Sequence, residues 1–280
     1  MSISKLLTLK AEGKKIVAIT AYDYSTAQII DSTGVDMILV GDSLAMVALG
    51  YKDTQIITVD EMCVFVRAVA KGAKKTFIVG DMPFMSYNIS IEQALENATK
   101  MVKAGASAIK IEGANEYILN LVSSCTRCGI PVLAHLGFTP QFMNMFGGYK
   151  VQGKSYDSTR EMLYWAKALE KAGAFGVVLE MVPEESAKYI TDNISIPTFG
   201  IGAGRYCSGQ ILVADDVLGK FSDFTPKFAR KYADLGNVIR EAVSQYASDV
   251  RDGKFPNESE IFKLNTDEYD KLKEDEYFVN

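Results

Sequence analysis

Three acidic residues each lie within two residues of the end of a short apolar run in this sequence. They are Asp42, Asp81 and Glu112. If these runs are neighbouring parallel strands, their carboxyl ends meet at one edge, where the three carboxylates would lie close together. Such a cluster needs a compensating charge, and hard carboxylate oxygens favour Mg²⁺ over zinc. The alternative is that these acids only cap helices or pair with lysines.

Lys110, His135 and Glu180 also lie at or near the ends of apolar runs. Lys110 lies two residues before Glu112, so in a strand both side chains face the same way. A buried lysine needs anionic partners, and this one can neutralise Glu112 or hold an acidic substrate. His135 is the only histidine, which excludes zinc sites with several histidines. It is a member of a serine triad, a single acid–base group or a structural residue. Glu180 has apolar neighbours and is either a general base or a surface or salt-bridged glutamate.

The apolar runs that would position these residues are rich in Val and Ile and do not alternate with polar residues. Unbroken hydrophobicity indicates strands buried on both faces, as in a parallel sheet covered by helices. The eight runs are 16–21, 37–40, 76–79, 108–111, 131–134, 176–179, 197–201 and 211–213.

Helix-like segments separate most of these runs. Two of the segments end in Gly105 and Gly173, which suit a left-handed helix cap. Eight strand–helix alternations in about 215 residues favour an α/β fold of the (β/α)8 TIM-barrel type, and an open doubly wound sheet is the alternative. The predicted helices are 25–33, 59–71, 91–104, 116–128, 160–172 and 183–193.

The residues after the last run divide into a helix and an acidic tail. Apolar residues at helical spacing predict an amphipathic helix over 226–250. Residues 257–280 contain eight acids and three lysines. Their net charge of −5 equals the formal net charge of the whole 280-residue chain. We therefore predict one barrel domain over 1–256, including this additional C-terminal helix, and a solvated acidic tail over 257–280.

Composition excludes several classes of partner. No basic stripe is present to bind phosphate groups, so nucleic acid is not expected. No apolar run approaches the roughly 18 residues of a membrane span. The four scattered cysteines and the polar first residues predict a cytoplasmic protein with reduced thiols.

Two glycine-containing segments follow predicted strands and could border the site. Residues 200–209 could bind phosphate or allow close packing of the backbone. Residues 137–154 form a long loop that could act as a lid or pack as a structural loop. The sequence leaves these alternatives open.

Taken together, the motifs resemble those of the 3-methyl-2-oxobutanoate (ketopantoate) hydroxymethyltransferase family. The resemblance covers about residues 15–256, with the motifs in family order. Its most specific motif is Phe-Gly-Gly-Tyr-Lys-Val-Gln-Gly at 146–153. The others are Thr20-Ala-Tyr-Asp23, Val40-Gly-Asp-Ser43, Gly80-Asp-Met-Pro-Phe84, Lys110-Ile-Glu-Gly113, His135-Leu-Gly137, Leu179-Glu180 and Gly200-Ile-Gly-Ala-Gly204.

The resemblance implies a Mg²⁺-dependent barrel enzyme of pantothenate biosynthesis. Such an enzyme transfers a hydroxymethyl group from 5,10-methylenetetrahydrofolate to 3-methyl-2-oxobutanoate and gives 2-dehydropantoate (ketopantoate). The family forms decamers, so a homo-oligomer is implied, with the C-terminal helix packed on a neighbouring subunit.

The resemblance also implies roles for individual residues. Asp42, Asp81 and Glu112 match the magnesium positions, with Glu112 acting through water, and Glu180 matches the base. The residues implied in holding the keto acid are Asp42, Ser43, Asp81 and Lys110, with His135 orienting it or donating a hydrogen bond.

Two other functions are compatible with a barrel of this kind. One is a Mg²⁺-dependent carbon–carbon lyase or mutase acting on a small 2-oxo acid. Such lyases carry a Lys-Cys-Gly-His loop, and no Cys-Gly-His occurs in this sequence. The other is a non-catalytic binding module, which would be expected to have lost the site carboxylates. The chain departs from the family in reading Ser208-Gly-Gln210 where Asp-Gly-Gln is common, and in its acidic ending.

Overall fold

The structure, a computed structural model, describes residues 1–220 and 226–274. Eight parallel strands pair in chain order, and β8 pairs with β1 to close the barrel. The predicted (β/α)8 barrel is therefore confirmed, and the open sheet is excluded. The strands are β1 (Ile16–Thr20), β2 (Met37–Val40), β3 (Phe77–Asp81), β4 (Ala108–Glu112), β5 (Val132–Gly137), β6 (Gly176–Glu180), β7 (Thr198–Ile201) and β8 (Gly209–Leu212).

Helices connect the strands along most of the barrel. The helix predicted over 160–172 begins earlier, because Ser155 caps it with a reciprocal pair of hydrogen bonds to Ser158. Gly105 and Gly173 end α5 and α8 in the left-handed conformation, as the sequence predicts. The helices up to β8 and just after it are α1 (Ile3–Ala11), α2 (Tyr24–Asp31), α3 (Leu44–Val47), α4 (Val59–Gly72), α5 (Ile91–Ala104), α6 (Glu116–Arg127), α7 (Met143–Phe146), α8 (Tyr156–Ala172), α9 (Glu184–Asp192) and α10 (Ala214–Leu218).

The amino-terminal end of the barrel is filled by apolar side chains. Helix α1, which the sequence analysis did not predict, places Leu6 completely out of solvent in the same cluster as Ile16 and Met37. Phe77 and Phe175 meet there edge to face, with ring centroids 5.6 Å apart. Burial of a side chain such as Leu6 contributes about 1.5–3 kcal/mol. This end of the barrel therefore supplies stability, and the opposite end is left for polar groups.

The chain divides into two compact units, Met1–Ala233 and Asp234–Asn280. The helix predicted over 226–250 spans Leu235–Arg251 (α11), and residues 226–234 precede it without helical structure. Within the predicted acidic tail, Thr266–Glu274 form a further helix, α12, and residues 275–280 lie outside the described part of the chain. Among residues 1–220 and 226–274, no helix has both the length and the hydropathy to span a membrane.

Candidate active site

The three predicted metal ligands meet at the carboxyl end of the barrel. Asp81 and Glu112 are the last residues of β3 and β4, and Asp42 follows β2. All three are buried, and one carboxylate oxygen from each lies within 4.8 Å of the others. The three acids therefore lie close together at the carboxyl ends of neighbouring strands, as the sequence predicts.

Lys110 lies among these carboxylates. Its Nζ is 2.7 and 2.8 Å from the two oxygens of Asp81 and 2.9 Å from Oε1 of Glu112. Burial by itself lowers the pKa of an ammonium group, but Asp81, Glu112 and Asp42 raise the pKa of Lys110 well above its ordinary value. The lysine therefore carries its charge inside the barrel.

The charge of the cluster suits a divalent cation. Three carboxylates and one ammonium leave two negative charges uncompensated when all of them are ionised. Burial and the neighbouring Asp81 raise the pKa of Asp42 well above its ordinary value, against the effect of Lys110. Two further positive charges would restore the ionised form, and three converging oxygen donors match the ligand preference of Mg²⁺. The residues present therefore fit this metal.

His135 links the cluster to Glu180. Its Nδ1 lies 3.2 Å from Oε1 of Glu112, and its Nε2 lies 3.4 Å from Oε2 of Glu180. Burial, and then the negative charge of Glu112, raise the pKa of Glu180 to about 8. Glu112 differs: burial would raise its pKa, but Lys110 and His135 lower it to about 2. One carboxylate thus stays ionised, and the other is poised to exchange a proton near neutral pH.

Gln141 is a buried site residue that the sequence analysis did not single out. Its Nε2 donates hydrogen bonds to Oδ2 of Asp42, at 3.0 Å, and to the carbonyl of Met82, at 2.9 Å. Its backbone N–H donates to Oε2 of Glu112 at 3.1 Å, and its Oε1 accepts from the Tyr87 hydroxyl at 2.7 Å. Gln141 therefore orients two of the three acids. A glutamine within a loop carries no spacing signal that would identify it.

Residues 137–154 are part packed and part exposed. Phe138 is fully buried and contacts the ring of Tyr149, with centroids 5.1 Å apart. Gln141 lies in a short 3-10 helix, Pro140–Phe142, and is also buried, whereas Met145 is 84% exposed. The first part of this loop therefore belongs to the site structure.

The glycines after β7 are closely packed. A Cβ on Gly202, whose φ is +63°, would lie 2.7 Å from the ring of Phe228. A Cβ on Gly204 would lie 2.5 Å from the side chain of Glu184. Close packing explains these two glycines.

A cavity of about 390 Å³ opens over the cluster. All seven predicted site residues line it, including Ser43, whose Oγ is 2.9 Å from the Tyr22 hydroxyl. Away from the carboxylates its wall is mainly apolar. The lining residues there include Leu39, Met46, Val47, Ile211, Leu212, Val213 and Phe228.

Comparison with solved structures shows the fold. A phosphonopyruvate hydrolase, solved as a complex with oxalate and Mg²⁺, superposes with a TM-score of 0.60 and 16% identity, covering 99% of both chains. A 2,3-dimethylmalate lyase of the PEP mutase/isocitrate lyase superfamily superposes with a TM-score of 0.59 and 17% identity, covering 97% of both chains.

Sequence comparison shows the family. Residues 1–258 match the profile described as ketopantoate hydroxymethyltransferase. A 3-methyl-2-oxobutanoate hydroxymethyltransferase of Clostridium beijerinckii is 51% identical over 264 residues, covering 94% of this chain and 96% of that protein. One from Thermosipho melanesiensis is 51% identical, covering 94% and 99%. The chain therefore belongs to the ketopantoate hydroxymethyltransferase family.

Proposed function

We propose that this chain is a Mg²⁺-dependent 3-methyl-2-oxobutanoate hydroxymethyltransferase that uses 5,10-methylenetetrahydrofolate and forms 2-dehydropantoate for pantothenate synthesis. Family membership supports the reaction. The observation that carries the mechanism is the buried Asp42–Asp81–Glu112 cluster beside a separate carboxylate, Glu180, of raised pKa.

The first task of the site is to hold the keto acid. Asp42 and Asp81 would hold Mg²⁺ directly, and Glu112 through water. Bound there, Mg²⁺ would draw electron density from the carboxylate and keto oxygens of the substrate, which acidifies the C3 hydrogen. Lys110 would pair with the substrate carboxylate, and Ser43 would add a hydrogen bond.

The second task is proton removal. Glu180 would take the hydrogen from C3, and its raised pKa makes it a stronger base than an exposed carboxylate. His135, in contact with Glu112 and Glu180, would fix the orientation of the base and of the substrate. C3 would then form a bond to the methylene carbon of the folate as the bond from that carbon to N10 breaks. Water would replace N5 on the same carbon, which leaves a hydroxymethyl group on C3 and releases tetrahydrofolate.

We also propose a cytoplasmic homo-oligomer, a decamer as the family resemblance implies, with α11 packed on a neighbouring subunit. Helix α11 has no buried residue, although it carries apolar side chains. Val238, Val243 and Tyr246 are each more than half exposed, at 58%, 60% and 57%. Light scattering with size-exclusion chromatography would give the subunit number.

Proton NMR in D2O tests the reaction directly. The protein is mixed with 3-methyl-2-oxobutanoate and 5,10-methylenetetrahydrofolate, with Mg²⁺ and again with EDTA. We expect loss of the C3 proton signal and a new hydroxymethyl signal, both only with Mg²⁺. Glu180→Gln should keep metal and keto acid binding but stop exchange at C3.

The other outcomes separate the alternatives. Exchange at C3 without product would point to a different acceptor for the carbanion. If a folded, metal-loaded sample gave neither exchange nor product, a binding module would be favoured. Near-normal turnover by Glu180→Gln would show that the base is another group.

A further inference from the structure

The cavity has a second part, away from the carboxylate cluster. In a ring of eight strands β8 lies across from β4, which carries Lys110 and Glu112. The wall formed by residues that follow β2 and residues in and after β8 is mainly apolar, and its apolar side chains are half-buried, so they offer surface to a ligand. They are Met46, Val47, Leu212, Val213 and Phe228.

The whole cavity is larger than the keto acid requires. Cavities of about 300–1,000 Å³ hold ligands of drug size, and the whole cavity measures about 390 Å³. A five-carbon acid held between Lys110 and Glu180 would fill only the acidic part. The apolar walls on the β8 side would then contact a second, flat group.

Asp216 is the charged residue of this second part that is removed from solvent. It lies four residues beyond the end of β8, lines the cavity and is 7% exposed. Within residues 1–220 and 226–274, no hydrogen bond to its carboxylate is formed. Burial and then Asp215 raise the pKa of Asp216, and Lys231 opposes them. A buried carboxylate is stabilised by hydrogen-bond donors, so this wall favours a ligand that brings them.

Asp215 provides a contrast in the same short helix. It is also buried, but it does not line the cavity, and its Oδ1 lies 3.5 Å from Nζ of Lys220. Within residues 1–220 and 226–274, Asp215 therefore forms an ion pair, whereas Asp216 forms none, although Lys231 is near enough to lower its pKa, and Asp216 faces the ligand space.

We propose that Asp216 recognises the pterin ring of the folate co-substrate by accepting hydrogen bonds from its 2-amino group and its N3–H. These adjacent donors point the same way and match the two oxygens of a carboxylate. The flat ring would lie against the apolar wall formed by Met46, Leu212 and Phe228. This inference rests on the proposed function, because it assigns the site of the second substrate.

The experiment measures binding of a tetrahydropterin that carries only a methyl group at C6. Isothermal titration calorimetry under anaerobic conditions compares the full-length protein with Asp216→Asn, using Asp215→Asn as the matched control. We expect Asp216→Asn to bind about tenfold or more weakly, because it loses a charge-assisted acceptor, and Asp215→Asn to bind like the unchanged protein. Exchange at C3 of the keto acid, measured without folate, should persist in both variants.

A second comparison needs no mutation. An analogue with methyl in place of the 2-amino group should bind the unchanged protein about tenfold or more weakly, because it lacks one of the donors. Equal binding of both ligands, or equal binding by Asp216→Asn, would overturn the proposal while C3 exchange keeps the proposed function intact. If the unchanged protein showed neither C3 exchange nor pterin binding, both would fall.

Discussion

The ammonium group of Lys110 contacts both carboxylate oxygens of Asp81, at 2.7 and 2.8 Å, in the interior of the barrel. The two residues lie directly opposite each other in the parallel pairing of β3 with β4. The same ammonium reaches Glu112, so it is a structural counter-ion of the cluster. In the proposed mechanism a substrate carboxylate also pairs with this ammonium, so one group would serve both stability and substrate binding.

Replacing this lysine should separate its two roles. We expect Lys110→Met to lose about 3–5 kcal/mol of stability without metal, because it leaves buried carboxylates uncompensated. Added Mg²⁺ should stabilise the variant more than the unchanged protein, since a like charge beside the metal has been removed. Keto acid binding should be lost. Thermal unfolding with Mg²⁺ and with EDTA, and calorimetry with the keto acid, measure these effects.

Lys10→Met is the control for this experiment. Lys10 is a half-buried lysine that donates hydrogen bonds to the carbonyls of Thr191, Ile194 and Ile196, with no carboxylate among them. Its replacement should lower stability equally with Mg²⁺ and with EDTA. A metal-free Lys110→Met protein as stable as the unchanged chain would contradict the role of Lys110 as counter-ion.

Strand-end position made part of the site predictable. Asp81 and Glu112 are the last residues of their strands and Asp42 follows its strand by two residues; all three strands were predicted from buried runs, and the carboxyl ends of parallel strands meet at one edge. Gln141 and Asp216 lie instead in segments that follow strands by several residues. Their positions depend on tertiary packing, for which the local sequence carries no periodic signal.

The fold, like the site, was predictable in part from the sequence. The parallel barrel follows from eight unbroken apolar runs, and helix ends follow from Gly105 and Gly173. Helix α1 was missed, although Ile3, Leu6 and Leu9 recur every three residues and form its apolar face. Three apolar residues are too short a pattern to predict a helix by themselves. The helix is stabilised by packing against the apolar end of the barrel, which the local sequence does not show.

Removing the amide of Gln141 should weaken Mg²⁺ binding at the proposed metal site. Gln141→Ala loses the hydrogen bond to Asp42 and the link to Tyr87, so the carboxylate is no longer oriented. We expect about tenfold weaker Mg²⁺ binding, the lower end of the range for residues that orient metal ligands. Calorimetric titration measures the affinity for Mg²⁺, and electron paramagnetic resonance measures the affinity for Mn²⁺. The control is Gln28→Ala, which replaces an exposed glutamine on α2. Equal metal affinity of the unchanged protein, Gln141→Ala and Gln28→Ala would contradict the role of Gln141.

Adding a methyl group at Gly137 should disturb Glu180, the proposed base, more than the three clustered carboxylates. Gly137 has a φ of +92°, and a Cβ there would lie 2.3 Å from the carbonyl oxygen of Glu180. Gly137→Ala should therefore displace Glu180, so that C3 exchange falls further than Mg²⁺ binding. Gly129→Ala tests backbone strain alone, because Gly129 has a φ of +80° with nothing within 4 Å of its added Cβ. Strain of this kind costs about 1–2 kcal/mol. Equal C3 exchange by the two variants would show that contact with Glu180 is unimportant.

Asp31 should contribute stability that depends on pH. Its carboxylate accepts hydrogen bonds from the backbone N–H groups of Lys74, Lys75 and Thr76 and from the Thr76 hydroxyl, at 2.8 to 3.1 Å, and so ties the end of α2 to the start of β3. Burial opposes ionisation, but these hydrogen bonds hold the pKa of Asp31 well below its usual value.

A carboxylate with a depressed pKa in the folded state stabilises the protein above its unfolded pKa, about 3.9, and that contribution is lost as pH falls toward the folded pKa. Asp31→Asn should therefore cost about 1–3 kcal/mol at pH 7 and progressively less below about pH 4. Urea unfolding at pH 7 and at low pH measures the difference. Asp60→Asn, at a residue whose side chain is 84% exposed, should change stability little at either pH. If Asp31→Asn lowered the free energy of unfolding equally at both pH values, the hydrogen bonds of Asp31 would not depend on the charge of its carboxylate.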